Sequence, residues 1–113
     1  MQAHLPAYDR SKLTPGIVHI GLGNFHRAHQ AMYVDQLLSA GQGSNWGICG
    51  IGLLERDVAM RDALVGQDCL YTLTLRHPDG VDEIAVIGSI RRFLHAPGDP
   101  TAVLEQLADP AVR

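Results

Sequence analysis

Little in this sequence supports a scaffold held by cross-links or metal, or a charged or membrane-bound surface. Its 113 residues contain two cysteines, Cys49 and Cys69, far apart and without Cys-x-x-Cys spacing. That argues against a disulfide framework and a zinc site and leaves two reduced, packed thiols. Basic residues number 9 against 12 acidic ones, for a net charge of −3 and a pI near 6.0. No basic cluster exceeds Arg91-Arg92, so neither nucleic acid nor an anionic membrane is the expected partner. No stretch approaches the ~20 apolar residues that span a bilayer. The N-terminal MQAHLPAYDRSKLTPG lacks the apolar core of a signal peptide, and the expected location is cytoplasmic. Internal repeats and low-complexity segments are also missing.

What is present is enough apolar content, 46%, for the core of one domain at most. Residues 1–15 are polar and proline-punctuated and read as a tail or wrapping arm. Gly16 to Ile20 is a short apolar run bounded by glycines, as in a buried strand. Phe25 to Ala40 follows with Ala28, Ala31, Met32, Val34 and Leu38 at helical spacing, closed by Gly41 in the C′ position. After the loop GQGSN, WGICGIGLL reads as a second buried strand, its unbroken apolar character fitting a parallel sheet covered on both faces. Arg56 to Val65 predicts a shorter helix ending at Gly66. LYTLTLR, the turn HPDG and VDEIAVIGSI then predict a β-hairpin. Asp99 and Pro100 supply an N-cap and first helical residue for TAVLEQLA, which Asp109-Pro110 stops.

The order strand, helix, strand, helix, hairpin, helix implies an α/β fold with right-handed crossovers and a parallel, doubly wound sheet. Two parallel strands bury both faces poorly, and AVR comes where a next strand should begin. The expectation is the first part of something larger.

The hinge IVHIGLGNFHRAHQ carries the chemistry. In a dinucleotide fingerprint the first glycine makes the strand-to-helix turn, the second admits the pyrophosphate, and the third lets helix and strand pack closely. Gly21 and Gly23 fit the first two roles. His26 stands at the third, where Ala28 slightly further on could supply a small side chain. The free N–H groups of Asn24, Phe25 and His26, with the helix dipole behind them, form an anion site, and Arg27 adds a positive charge. A turn of this form can also exist without a ligand.

An acid at the end of the second strand would accept hydrogen bonds from the adenosine ribose. GLLERD offers Glu55 and Asp57, either of which could instead cap the following helix. Arg56 between them can tolerate a 2′-phosphate, so the expected cofactor is NAD with NADP admitted. His26 and His29 form H-x-x-H, with His19 in the preceding strand. No further ligand has suitable spacing, so no metal is expected. His19 reads as a packed strand residue with a hydrogen-bond partner.

Together IVHIGLGNFHRAHQAMYVDQLL, WGICGIGLLERD and MRDALVGQDCLYTL resemble the N-terminal part of the mannitol dehydrogenase family. These are polyol-specific long-chain dehydrogenases that include mannitol 2-dehydrogenases and the fructuronate and tagaturonate reductases. Gly21, Gly23, Phe25, Arg27, Ala28 and His29 match the family's Gly-x-Gly-x-Phe-x-Arg-Ala-His signature, and the resemblance runs from Ile17 to the C-terminus. Asn24 departs from it, since glycine is common there.

The resemblance implies that residues 16–113 are the N-terminal portion of a Rossmann-type dinucleotide-binding domain with an antiparallel hairpin excursion. A helical substrate domain, absent from this chain, would follow. It implies Asp57 as the ribose-binding acid, a polyol or keto-sugar substrate, and D-mannitol to D-fructose oxidoreduction at C2. A uronate reductase is the alternative within the family, and a stand-alone NAD(H)-binding sensor the alternative outside it, although no DNA-binding helix pair is evident. Family members use a lysine base with asparagine and histidine. The only lysine here, Lys12, precedes the first strand, so no catalytic residue carries over and the segment alone is expected to be inactive.

Overall fold

Buried apolar runs place the centre of the molecule. A computed structural model describes residues 3–113, and of Ala3, His4 and Asn24 only the main chain. The described residues form two three-stranded sheets. The larger contains β2 (Pro15–Ile20), β3 (Gly47–Gly52) and β6 (Ile90–His95) in the order β2-β3-β6, all parallel. β3 is central and buried along its whole length. Its Ile48 packs with Ala31, Leu64, Ile87, Ile90 and Phe93 on one face. Cys49 and Ile51 pack with Leu94 and Val103 on the other. Each fully buried isoleucine contributes roughly 1.5–3 kcal/mol, so this strand anchors the domain. Both thiols are free and buried, and burial pushes Cys49 up to about 11, which makes it inert near neutral pH.

The smaller sheet has the order β1-β5-β4. β4 (Tyr71–Arg76) and β5 (Asp82–Ile87) form the expected antiparallel hairpin, from Tyr71↔Ile87 to Arg76↔Asp82. The turn works as its residues suggest: Gly80 has φ +83°, and Asp79 Oδ1 accepts the Val81 N–H at 3.0 Å.

Three expectations need correction. VDEIAVIGSI is not one hairpin arm. β5 ends at Ile87, the buried Gly88-Ser89 pair turns the chain, and Ile90–His95 becomes a third parallel strand. The turn is fixed by packing: a Cβ on Gly88 would meet Pro6 Cγ at 2.9 Å, and Ser89 Oγ donates to the Ala31 carbonyl at 2.6 Å. The first helix is also not continuous. It breaks at His29 (φ −122°, ψ −79°) into α1 (Asn24–Ala28) and α2 (Gln30–Ser39). The Tyr71 hydroxyl donates to the Arg27 carbonyl at 2.6 Å, the acceptor that an unbroken helix would offer to the Ala31 N–H. Finally, α3 (Val58–Gly66) follows a 3-10 turn at Glu55–Asp57 and includes Gly66. The left-handed exit falls instead on Asp68 (φ 54°) and Cys69 (φ 59°).

The other helix ends follow the sequence. Gly41 has φ +81°, and the bonds Gly41 N–H to Leu38 O and Gln42 N–H to Leu37 O make a Schellman closure of α2. Asp99 caps α4 (Pro100–Leu107) through the Ala102 N–H at 3.1 Å.

The N-terminal segment is tied across the join between the sheets. β1 (Ala3–His4) pairs in parallel with β5. Arg10 donates to the carbonyls of Gly88 (2.9 Å), Ile90 (2.9 Å) and Asp68 (2.8 Å), and pairs with the Asp68 carboxylate at 2.9 Å. Tyr8 donates its hydroxyl to the buried Asp35, which also accepts the Gly88 N–H at 2.9 Å. Asp35→Ala should therefore lower stability by about 2–3 kcal/mol, because it leaves a buried N–H and a half-buried hydroxyl without an acceptor. Urea unfolding at neutral pH measures this, and a loss below about 0.5 kcal/mol would show that the tie carries no weight.

Candidate functional site

At the carboxyl ends of β2 and β3 two turns face each other. After β2, Gly21 turns the chain at φ +88°, a conformation that a side chain would strain. Its N–H donates to the Ile51 carbonyl at 2.9 Å. Gly23 then caps α1 in extended geometry, φ −95° and ψ −171°. A Cβ built there would meet nothing nearer than the Gly21 carbonyl oxygen at 3.9 Å. The fold itself does not require glycine at this position.

The first bond of α1 runs from the Arg27 N–H to the Gly23 carbonyl at 3.1 Å. The N–H groups of Asn24, Phe25 and His26 thus lie outside the helix's own ladder. With only five residues in α1, these N–H groups, rather than a long helix dipole, are what the turn offers an anion. The Arg27 Nε lies 3.4 Å from the Gly23 carbonyl, keeping that charge at the turn.

After β3, the chain passes through Leu53 and Leu54 into the 3-10 turn at Glu55–Asp57. Asp57 Oδ2 accepts the Leu54 N–H at 3.0 Å, so the capping role considered for this acid is real. The turn packs closely on the strand end: a Cβ at Gly52 would sit 2.7 Å from Asp57 Cβ and 3.1 Å from Phe93 Cζ. Gly50 likewise makes room for Leu22, whose Cδ2 would lie 2.8 Å away. These two glycines share the β3 face that looks toward α2 and α3. They supply the close packing that the fingerprint normally assigns to its third glycine.

The two turns border one cleft of about 460 Å³ lined by Gly21, Gly23, Gly52, Arg56, Asp57 and Phe93, with Leu22, Leu53, Leu54 and Met60 completing its wall. Of the residues singled out from sequence, the cleft brings together Gly21, Gly23, Arg56 and Asp57. Glu55 is not among its lining. Phe25 and His26 lie elsewhere, bordering a second hollow of about 280 Å³ with His19, Gly21, Gly23 and Gln30. Phe25 is exposed and stacks on His29 at 4.3 Å.

His26, at the third fingerprint position, is buried at 4% exposure. It stacks on His19 with ring centroids 3.7 Å apart and planes 13° from parallel. His19 was expected to have a hydrogen-bond partner; its neighbour is this ring. Both His26 nitrogens are without a hydrogen bond among the described residues. Burial, and secondly His19, hold its pKa down to about 4, with Gln30 working the other way. Among the described residues no group of three His, Cys, Asp or Glu is placed to hold a metal ion.

Sequence reasoning missed Gly52, Leu54, Met60 and Phe93. Gly52 had a signal, since two glycines inside a buried strand mark close approach. Phe93 had none, since the residues between Ile90 and Asp99 were given no element.

Residues 15–113 match the family model described as the mannitol dehydrogenase Rossmann domain. The chain belongs to the mannitol dehydrogenase family. It is 47% identical over 108 residues to a mannitol 2-dehydrogenase of Cereibacter sphaeroides, covering 96% of this chain and 22% of that protein. It is also 47% identical over 110 residues to a polyol:NADP oxidoreductase of Gluconobacter oxydans, with the same shares covered. Among solved structures, Pseudomonas fluorescens mannitol 2-dehydrogenase in ternary complex with NAD and D-mannitol superposes with a TM-score of 0.93 at 46% identity. That match covers 98% of this chain and 23% of the other. The chain thus spans about a fifth of the length of these relatives. As a mannitol dehydrogenase Rossmann domain it has the parallel sheet that the sequence led us to expect, with three parallel strands where two were counted.

Proposed function

We propose that this chain is the cofactor-binding portion of an NAD-dependent polyol dehydrogenase that interconverts D-mannitol and D-fructose at C2. The observation that carries the reading is the shared cleft. The glycine turn and the Asp57 turn open into one space at the carboxyl ends of parallel strands, the place where doubly wound sheets bind nucleotides. A Cβ at Gly23 would meet nothing nearer than 3.9 Å, so the approach to the turn is open. The residues present fit the dinucleotide: Gly21 and Gly23 with the N–H groups of Asn24, Phe25 and His26 around the pyrophosphate, Arg27 beside it, and Asp57 at the adenosine ribose. When bound, NAD supplies the hydride acceptor. Phe25 and His26 would serve through their backbone, since their side chains border the other hollow.

The base would come from elsewhere in a longer chain. Lys12 is exposed in the turn Arg10–Lys12, just before the amino-terminal end of β2 and so at the opposite end of the sheet from the cleft. Two relatives frame the cofactor choice: one solved with NAD, the other named for NADP. The exposed Arg56 on the cleft wall gives a 2′-phosphate a cation to meet, so NADP is the second cofactor. Fructuronate or tagaturonate reduction is the substrate alternative, which kinetics on the full-length protein with mannitol and the uronates would decide.

Asp57→Ala in the full-length protein should weaken NAD by about 1–3 kcal/mol and NADP by less, since only NAD offers the carboxylate a 2′-hydroxyl. Comparing the two cofactors corrects for the lost cap on Leu54. If NAD affinity stays put in this variant while Glu55→Ala removes it, the assigned carboxylate is wrong.

A further inference from the structure

We propose that His95 is a positioning residue that sets the preference between NAD and NADP by fixing the turn that carries Asp57. The inference rests on the cofactor reading above. His95 ends β6, is buried at 6% exposure, and places Nε2 2.8 Å from the Leu54 carbonyl. A carbonyl only accepts, so Nε2 carries the proton of this bond. The other side of Leu54 is held as well, because its N–H donates to Asp57 Oδ2 at 3.0 Å. Leu54 is therefore bracketed between a buried histidine and the carboxylate.

The anchor itself is firmly set. The Ala96 N–H donates to the Gly52 carbonyl at 2.9 Å, and the His95 carbonyl accepts from Gly98 (3.1 Å) and Asp99 (3.0 Å). Gly98 lies so close that a Cβ would stand 3.3 Å from His95 Nδ1. Around this bracket the turn lies close against the strand end, Asp57 Oδ2 standing 3.2 Å from where a Cβ on Gly52 would be. Asp57 Oδ1 takes no hydrogen bond among the described residues, which leaves it for an incoming hydroxyl.

A carboxylate held in one place does two things. It accepts a hydrogen bond from a ribose 2′-hydroxyl, and it repels a 2′-phosphate. Without His95 the Leu54 carbonyl keeps only the Asp57 N–H, at 3.0 Å, and the turn is held less firmly, so NAD should lose a partner while NADP loses a repulsion. The ratio of the two affinities should therefore move toward NADP. A general loss of structure would weaken both together.

The test is equilibrium titration of the full-length protein with NADH and NADPH, in wild type, His95→Leu and His95→Gln. His95→Leu should lower the ratio of NADH to NADPH affinity about tenfold, the worth of one hydrogen bond, and kcat on saturating NAD should hold. His95→Gln, which keeps an N–H donor of similar reach, should recover most of the ratio. Equal losses for both cofactors, or a ratio unmoved in His95→Leu, would overturn the assignment. Should His95→Leu not fold, a wild-type ratio in folded His95→Asn, whose shorter amide does not reach Leu54, would overturn it equally, and a lowered ratio would support it. A wild-type protein that binds neither dinucleotide removes the cofactor reading itself, a failure distinct from that of His95.

Discussion

Gly23→Val in the full-length protein should lower NAD affinity by more than tenfold, over about 1.4 kcal/mol, while the cofactor-free fold stays nearly as stable as before. The geometry separates the two effects. The backbone at this position is extended, and a Cβ meets nothing within ordinary contact except the Gly21 carbonyl at 3.9 Å. The domain can therefore accept a branched side chain, at the cost of a poorer helix cap, roughly 1 kcal/mol or less. The pyrophosphate cannot, because the added methyl groups occupy the approach to the N–H groups of the first turn. Gly21 makes the internal control. At φ +88° its replacement strains the backbone itself, so Gly21→Val should lose stability with or without cofactor. Calorimetric melting of the three proteins with and without NAD distinguishes these outcomes. If Gly23→Val binds NAD as wild type does, the hinge is only a turn.

Below pH 6.5 the folded protein should lose stability more steeply than a His26→Phe variant does. His26 is held from 6.5 down to about 4 in the folded state by burial against His19. As pH falls through 6.5 the unfolded chain takes up this proton first, so the folded state is disfavoured progressively until about pH 4, where the folded ring also protonates. The slope for one such group reaches about 1.4 kcal/mol per pH unit, and the whole window amounts to roughly 3 kcal/mol. Phenylalanine keeps an aromatic ring against His19 and removes the proton. Urea unfolding at about pH 7 and about pH 4.5 should show the wild type falling by more than the variant. Equal losses would mean that His26 protonates in place without consequence.

The fold was legible where one local rule acts alone. Gly41 and Gly80 sit at positive φ where a helix closure and a turn were expected, and Asp99 caps the helix it was assigned to. It was illegible where a distant partner overrode the local pattern. Nothing near Ala28 or His29 in sequence announces that Tyr71 will take the Arg27 carbonyl and split the helix. Asp35 interrupts an apolar face, yet it is buried because Tyr8 and Gly88 supply its hydrogen bonds from both ends of the chain.

The run VDEIAVIGSI reads as a single strand because periodicity does not register a change of sheet. Only the packing of Pro6 and Arg10 against Gly88 marks the turn. The site followed the same division. The glycine turn and the carboxylate carry local signatures and were found together. His95, Phe93 and the packing need of Gly52 depend on how β6 lies beside β3, and that register was hidden with β6 itself.

A crystal structure of the full-length protein with NAD tests the central claim most directly. The account predicts the pyrophosphate within about 3 Å of the N–H groups that follow Gly23, and the adenosine ribose hydroxyls within the same reach of the Asp57 carboxylate. A dinucleotide bound away from the Gly21–Gly23 turn, or with its ribose out of reach of Asp57, would contradict it.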